Sequence, residues 1–256
     1  MHRLISSVGL GLVLVVGAMG CGNKKPAETA PNKPDTTSAP EDGDAGATSG
    51  AAAEPKKDDC VGFDIGDLET ILSKSACEKV GMNPDSAEPV DMKGKLEVTV
   101  TASPSKVAPG GKADLLITFA NKSKAPLTLY FRTDPVPRFE VEAYTAKGKR
   151  ADVPAGNPPA LPAGVSQPPP AEAKTAYVTL AANGTARVRR TWDAVKMKWA
   201  PEKAKGTPPE KGFPRKPAGN LGKGKYVIKV VTPLVGVAPD GEKEPAAPKT
   251  DIEVGS

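Results

Sequence analysis

Histidine is almost missing from this 256-residue chain: there is one, His2. It lies in an N-terminal segment that the reading below removes from the mature chain. A His-based triad, a His general base and a His-ligated zinc or copper are thereby excluded. We expect no catalytic residue, no metal site and no cofactor, and hence no enzyme. Aromatic residues make up only 4% of the chain, whereas Gly and Pro number 26 and 28, so much of it must be loop or linker. Cysteine is scarce too, at three residues. Long hydrophobic runs are confined to residues 4–16, too short for a membrane span of about 20 residues.

The first 20 residues carry an address. Met1, His2 and Arg3 give a weakly positive start, residues 4–16 are nearly all apolar, and Gly17, Ala18, Met19, Gly20 and Cys21 close the run. A positive end, a short apolar stretch and a small-residue cleavage site read as an export signal. With cysteine as the first mature residue, the segment resembles a bacterial lipoprotein signal, although Ala18 stands where that pattern prefers Leu. The resemblance implies lipidation of Cys21 and a membrane anchor. Gly22, rather than Asp, follows Cys21, which by the same resemblance implies the outer membrane, facing the periplasm or the cell surface.

Residues 21–59 read as a disordered tether. They are rich in Ala, Pro, Gly, Thr and Asp, and past Cys21 contain no aromatic residue, Leu, Ile or Val. Such a segment cannot bury enough apolar surface to offset its ordering entropy. Asp42 and Asp44 lack the ligand spacing of a calcium loop. Residues 60–92 read as a small helical element: Asp67 is placed to cap it, Leu68, Ile71, Leu72 and Ala76 recur on one face, and Gly81 lies just past its end. Cys60 and Cys77 remain as a pair, which an exported protein would oxidise to a disulfide pinning this helix. A redox or metal role is the alternative, without Cys-x-x-Cys spacing to support it.

From residue 93 the apolar period becomes two. Leu96, Val98 and Val100 alternate with Glu97, Thr99 and Thr101; Leu115, Ile117 and Phe119 follow, then Leu127, Leu129 and Phe131. Further strands are predicted over 139–144, 176–180, 185–192, 225–231 and 251–254. Seven or eight short strands predict an all-β fold over 93–256, an antiparallel β-sandwich preceded by the short helix and the tether. Proline-rich inserts at 153–173 and 201–220 are expected to be extended and without stable sheet pairing.

The order of pieces from Leu115 to Asn121, Ala125 to Phe131, Phe139 to Tyr144, Leu180 to Gly184, Thr191-Trp192-Asp193 and Gly222 to Val227 is similar to the immunoglobulin-like domain of the intracellular proteinase inhibitor family. That resemblance, over roughly residues 95–235, implies an immunoglobulin-like sandwich and, as a second function, inhibition of a protease. No contact residue carries over.

Charge is uneven. Residues 22–59 hold 5 Lys against 8 acids, residues 60–92 hold 2 Lys against 7 acids, and residues 93–256 hold 27 basic against 15 acidic side chains. A basic body attracts anionic envelope polymers. Arg187 and Arg189 share one strand face, as do Lys225 and Lys229; adjacent strands would make a cationic sheet face able to bind such a polymer, the alternative being a solubilising surface. No aromatic residue interleaves with these cations, so nucleic acid is not an expected partner. Trp192 belongs to the core, and Arg190, on the same nominal face, implies either a bulge or an Arg lying over Trp192. Trp199 and Phe213 flank the second proline-rich insert and would either anchor a protein partner or fold the loop back onto the sandwich. Glu140 and Glu142 are the best paired carboxylates but lie opposite Phe139, Val141 and Ala143, on the face expected to meet solvent. Ser103 and Lys106 match a Ser-x-x-Lys spelling at the end of a strand rather than the start of a helix.

Overall fold

The computed structural model describes residues 59–88, 90–238 and 247–255. The lipidation site Cys21, Asp42 and Asp44, and all but the last residue of the expected tether lie outside them. Thirteen strands and one short α-helix follow in the order β1 (Val61–Ile65), α1 (Leu68–Leu72), β2 (Val90–Asp91), β3 (Leu96–Ser103), β4 (Lys106–Val107), β5 (Lys112–Asn121), β6 (Leu127–Thr133) and β7 (Glu140–Thr145), then β8 (Lys174–Asp193), β9 (Val195–Trp199), β10 (Arg215–Asn220), β11 (Gly224–Val231), β12 (Val237–Ala238) and β13 (Lys249–Val254). Among the described residues the fold is all-β apart from α1 and four short 3₁₀ turns. No helix among the described residues is long and apolar enough to cross a membrane.

A five-stranded sheet runs β1-β8-β5-β3, with β6 paired to the first half of β8. A four-stranded sheet runs β4-β13-β11-β7, and two further ladders join β9 to β10 and β2 to β12. The period-two pattern has the outcome it predicts. Leu115, Ile117 and Phe119 of β5, Leu129 and Phe131 of β6, and Ile228 and Ile252 of β11 and β13 are buried in one apolar cluster. Phe119 sits edge-to-face on Phe131 at 5.4 Å and on Phe139 at 6.2 Å, a favourable aromatic geometry.

The sheets are mixed rather than purely antiparallel, because β1, β4 and β12 pair parallel with β8, β13 and β2. β1 was not expected. Its side chains do not alternate: Val61 and Phe63 are exposed and Ile65 alone is buried. Residues 60–92 are therefore not a helical element docked on a separate domain, since they supply an edge strand to the main sheet. α1 is a single turn and a half. Asp67 caps it as expected, accepting from the Thr70 amide at 3.2 Å, and Leu68 and Leu72 enter the core. The helix ends at Ser73, however, so Ala76 falls outside it and is exposed.

The two strands predicted over 176–180 and 185–192 are one 20-residue strand, β8. Ala181, Ala182, Asn183 and Gly184 spell a turn, and Asn183 does take φ 58°, but the chain bulges and continues. Leu180 still pairs with Leu127 of β6, whereas Thr185 pairs with Ala120 of β5. Asn121, almost fully buried, holds this switch. Its amide donates to the carbonyls of Leu180, Ala181 and Ala125 at 3.2, 2.9 and 2.8 Å. Gly184 is required by crowding: a Cβ there would stand 2.8 Å from the Phe63 carbonyl oxygen of β1.

Residues 201–220 also differ from expectation. Arg215–Asn220 pairs antiparallel with β9, with a register shift between Pro217 and Gly219. A proline is tolerated in a two-stranded ladder at a bulge. Residues 153–173 form no strand, as expected.

Candidate functional site

Cys60 and Cys77 are joined in a disulfide, and both are fully buried. Cys77 lies in a 3₁₀ turn after α1. The bridge therefore does not pin the helix itself but closes the covalent loop inside the fold.

The continuous cationic face expected from Arg187, Arg189, Lys225 and Lys229 does not form. Arg187 and Arg189 lie on β8 and Lys225 and Lys229 on β11, which belong to different sheets. Acids also interleave with the cations, because opposite charges across a ladder are mutually stabilising. Arg187 donates to Asp64 of β1, and that bond, followed by one from Thr185, holds the Asp64 carboxyl below its ordinary value. Lys225 stands opposite Glu253, and Lys229 opposite Glu142. Arg189 is exposed. Arg190 turns to the core side, yet lies over Phe139 rather than Trp192, at 5.7 Å from the ring centre, and donates to Glu69 of α1.

Glu140 and Glu142 do not make a matched pair. Glu140 is exposed. Glu142 accepts from Arg150 Nη1 at 2.5 Å and from the Tyr144 hydroxyl at 2.8 Å, while Arg150 Nε also donates to Asp152 Oδ1 at 2.6 Å. The side chains of Glu142, Asp152 and Arg150 are only 14%, 12% and 27% exposed, so Glu142 does not sit on the solvated face expected for it. Burial alone would pull the Arg150 guanidinium down, but the hydrogen bond from it to Asp152 and the charges of Asp152 and Glu142 outweigh this and keep it above its ordinary value. Burial, then Glu142, pushes the Tyr144 phenol up. Lys106, of the Ser103–Lys106 spelling, is paired with Glu253 at 3.1 Å.

Trp199 and Phe213 meet edge-to-face at 5.6 Å at the base of the β9–β10 hairpin, both half-buried. The guanidinium of Arg215 lies 5.9 Å over the indole. This hairpin is tied to the charged network by the Met197 amide, which donates to the Asp152 carbonyl at 2.7 Å.

A cleft of about 380 Å³ opens beside this junction. The segment before β7 lines it with Val136 and Arg138, β7 with Glu140 and Val141, and the hairpin with Lys211 and Arg215; Arg150 closes the remaining side. Sequence reasoning did not single out Arg138, Lys211 or Arg215. They come from three separate stretches, and only the fold brings them together.

Comparison with protein families and with curated proteins returned no match. Among solved structures, an alkylpurine DNA glycosylase of Pseudomonas fluorescens bound to DNA containing an abasic site analog is similar at TM-score 0.28 and 12% identity, over 64% of this chain and 31% of that one. A cycloisomaltooligosaccharide glucanotransferase of Paenibacillus, complexed with cycloisomaltoheptaose, gives 0.27 and 13% over 64% and 14%. A β-glucosidase of Kluyveromyces marxianus, in complex with glucose, gives 0.29 and 11% over 63% and 14%. The chain spans less than a third of the length of each, and likenesses this weak carry no argument about it.

Proposed function

We propose that this is a lipid-anchored outer-membrane envelope protein, held by a lipid on Cys21, whose folded part is an immunoglobulin-like sandwich with a non-catalytic binding role towards an anionic envelope component. The observation that carries the reading is the buried Cys60–Cys77 bridge. A structural disulfide in a mesophilic protein belongs to an oxidising compartment, in keeping with an export signal that ends at a cysteine. The sandwich is supported by side chains of the five- and four-stranded sheets sharing one core. A non-catalytic role is supported by Glu142 being committed to Arg150 and Tyr144.

Mass analysis of the mature N-terminus from native membranes, with crosslinked partners recovered from the same sample, tests it. A diacyl- or triacyl-modified Cys21 is expected; an unmodified N-terminus in the soluble extract would sink the anchor.

An exported protease inhibitor is the second reading. It is favoured by the hairpin over 195–220, whose residues 200–214 are bounded by the Trp199–Phe213 pair and held against the 153–173 segment, where Gln167 and the Ala171 amide donate to the Thr207 carbonyl and to Glu210. Loss of activity of a serine or cysteine protease on adding the purified protein, abolished by cutting within 204–208, would establish it.

A further inference from the structure

We propose that the cleft between β7 and the β9–β10 hairpin binds a phosphorylated sugar. The proposal rests on the binding role proposed above, and names its site and ligand class.

Charge selects the ligand. Arg150 is bonded to two carboxylates, Glu142 and Asp152, and the three groups together carry one negative charge. Arg138 gives one hydrogen bond, from Nη2 to the Asp134 carbonyl at 2.9 Å, which leaves its charge unbalanced. Lys211 and Arg215 form no ion pair among the described residues. Against these three cations the cleft offers one carboxylate, Glu140. With the net negative charge of the Arg150 cluster included, the site keeps a surplus of one positive charge, which favours an anion, and a phosphomonoester offers three acceptor oxygens to the three cations where a carboxylate offers two.

Geometry agrees with charge. The Arg215 guanidinium lies over Trp199, 5.9 Å from the ring centre, which places the side chain at the cleft wall before a ligand arrives, where its N–H groups can make a forked bond to phosphate oxygens. The hairpin wall is fixed to the Arg150 side through Met197 and Asp152. Val136, 52% exposed, and Val141 give an apolar wall for the C–H face of a sugar ring. The volume falls in the lower part of the roughly 300–1,000 Å³ range of small-molecule sites, enough for one sugar phosphate and too little for a length of polymer. The ligand is a free sugar phosphate or a phosphorylated terminal sugar on an envelope glycan, the bound chemistry being the same.

The test uses the mature full-length protein purified from native membranes in detergent, titrated at low salt with glucose 6-phosphate, inorganic phosphate, glucose and glucuronate. Glucose 6-phosphate is expected to bind with Kd below about 1 mM, at least about tenfold tighter than the other three. Arg215→Ala and Lys211→Ala, both at exposed side chains, should each weaken it by about tenfold or more, with unchanged melting temperature, while Arg189→Ala leaves it unchanged. Glucuronate binding as tightly, or Arg215→Ala without effect, would overturn the proposal. Envelope glycan competing for the site only before phosphatase treatment identifies the glycan as the source; glycan competing equally after treatment overturns it. The N-terminal mass of the same preparation separates the two readings. Unlipidated protein that binds sugar phosphate sinks the anchor alone, and lipidated protein that does not bind sinks the cleft alone.

Discussion

The side-chain amide of Asn121 donates to the main-chain carbonyls of Leu180 and Ala181, 59 and 60 residues further along the chain. The carbonyls it satisfies are those that β8 frees where it leaves β6 and takes up β5. At its other end, Asn121 Oδ1 accepts from the Ser123 amide at 2.9 Å, fixing the β5–β6 turn. One buried amide thus joins the turn to the bulge.

Replacing Asn121 by Ala removes the donor to the Leu180 and Ala181 carbonyls of β8, and each lost partner costs about 1–3 kcal/mol, whereas the Ala125 carbonyl of the turn keeps the Ser123 hydroxyl. We expect Asn121→Ala to lower stability by more than about 2 kcal/mol in urea unfolding, and Asn121→Asp to be no better, since its carboxylate repels the same carbonyls. A loss below about 0.5 kcal/mol would show that water replaces the amide.

Gly184→Ala places a methyl group 2.8 Å from the Phe63 carbonyl and 2.9 Å from the Ala181 carbonyl. The Phe63 backbone can yield only by parting β1 from β8, and the Ala181 backbone only by reshaping the bulge within β8. The expected loss is about 1–3 kcal/mol, with amide exchange accelerated over residues 61–65 and unchanged in β11. Uniform acceleration across both sheets would argue against a local clash.

The disulfide closes a loop with a sequence separation of 17, which in the chain-entropy treatment stabilises by about 3 kcal/mol. The Cys60→Ala/Cys77→Ala protein should therefore unfold at lower urea by that amount, with β1 and α1 exchanging first. An unchanged midpoint would mean that the loop is equally constrained in the unfolded chain.

Two carboxylates of α1 respond to pH in opposite senses. Hydrogen bonds from Thr70 hold Asp67 below 3.8, so its stabilisation is complete above that value and lost as pH falls through the lowered folded pKa. Burial raises Glu69 above 4.5, with Arg190 only partly offsetting it. Its folded form binds a proton more readily than its unfolded form, so its contribution declines as pH rises from 4.5 through the raised value. Arg190→Met should widen that window upward, and Asp67→Ala should remove the acid-range loss together with about 1 kcal/mol of capping. Side-chain NMR titration checks both; a Glu69 pKa at or below 4.5 would contradict the burial argument.

Strands with one buried face were legible in the sequence because alternation is a direct record of that face. Leu115, Ile117 and Phe119 show it, and all are buried. β1 was not legible, since a five-residue parallel edge strand with Val61 and Phe63 exposed leaves no alternation to read. The sequence predicts two strands in place of β8 because Asn183 and Gly184 spell a turn whether the chain reverses or only bulges, and the buried partner that decides, Asn121, is distant in sequence. Pro217 and Gly219 hid β10 for a related reason: both disfavour strands in general but are accommodated at a register shift. Pairing Cys60 with Cys77 needed only a count of cysteines. The cleft cations could not be found, because Arg138, Lys211 and Arg215 share no local pattern and depend on where the hairpin lands.

The bridge also decides how the molecule bears load. Tension entering the described residues from their N-terminal side meets Asp59, paired through its carboxylate with Lys74, and then Cys60, ahead of β1. Part of it crosses the sulfurs to Cys77 and passes into Glu78 and Lys79, which are bonded to Ala176 and Thr175 at the start of β8. The remainder is taken up by the Cys60 carbonyl, which holds the Thr179 amide of the same strand at 2.7 Å. Both routes end on β8, and the residues between the cysteines are bypassed, so roughly 55 Å of extensible chain is withheld until the central strand itself gives way.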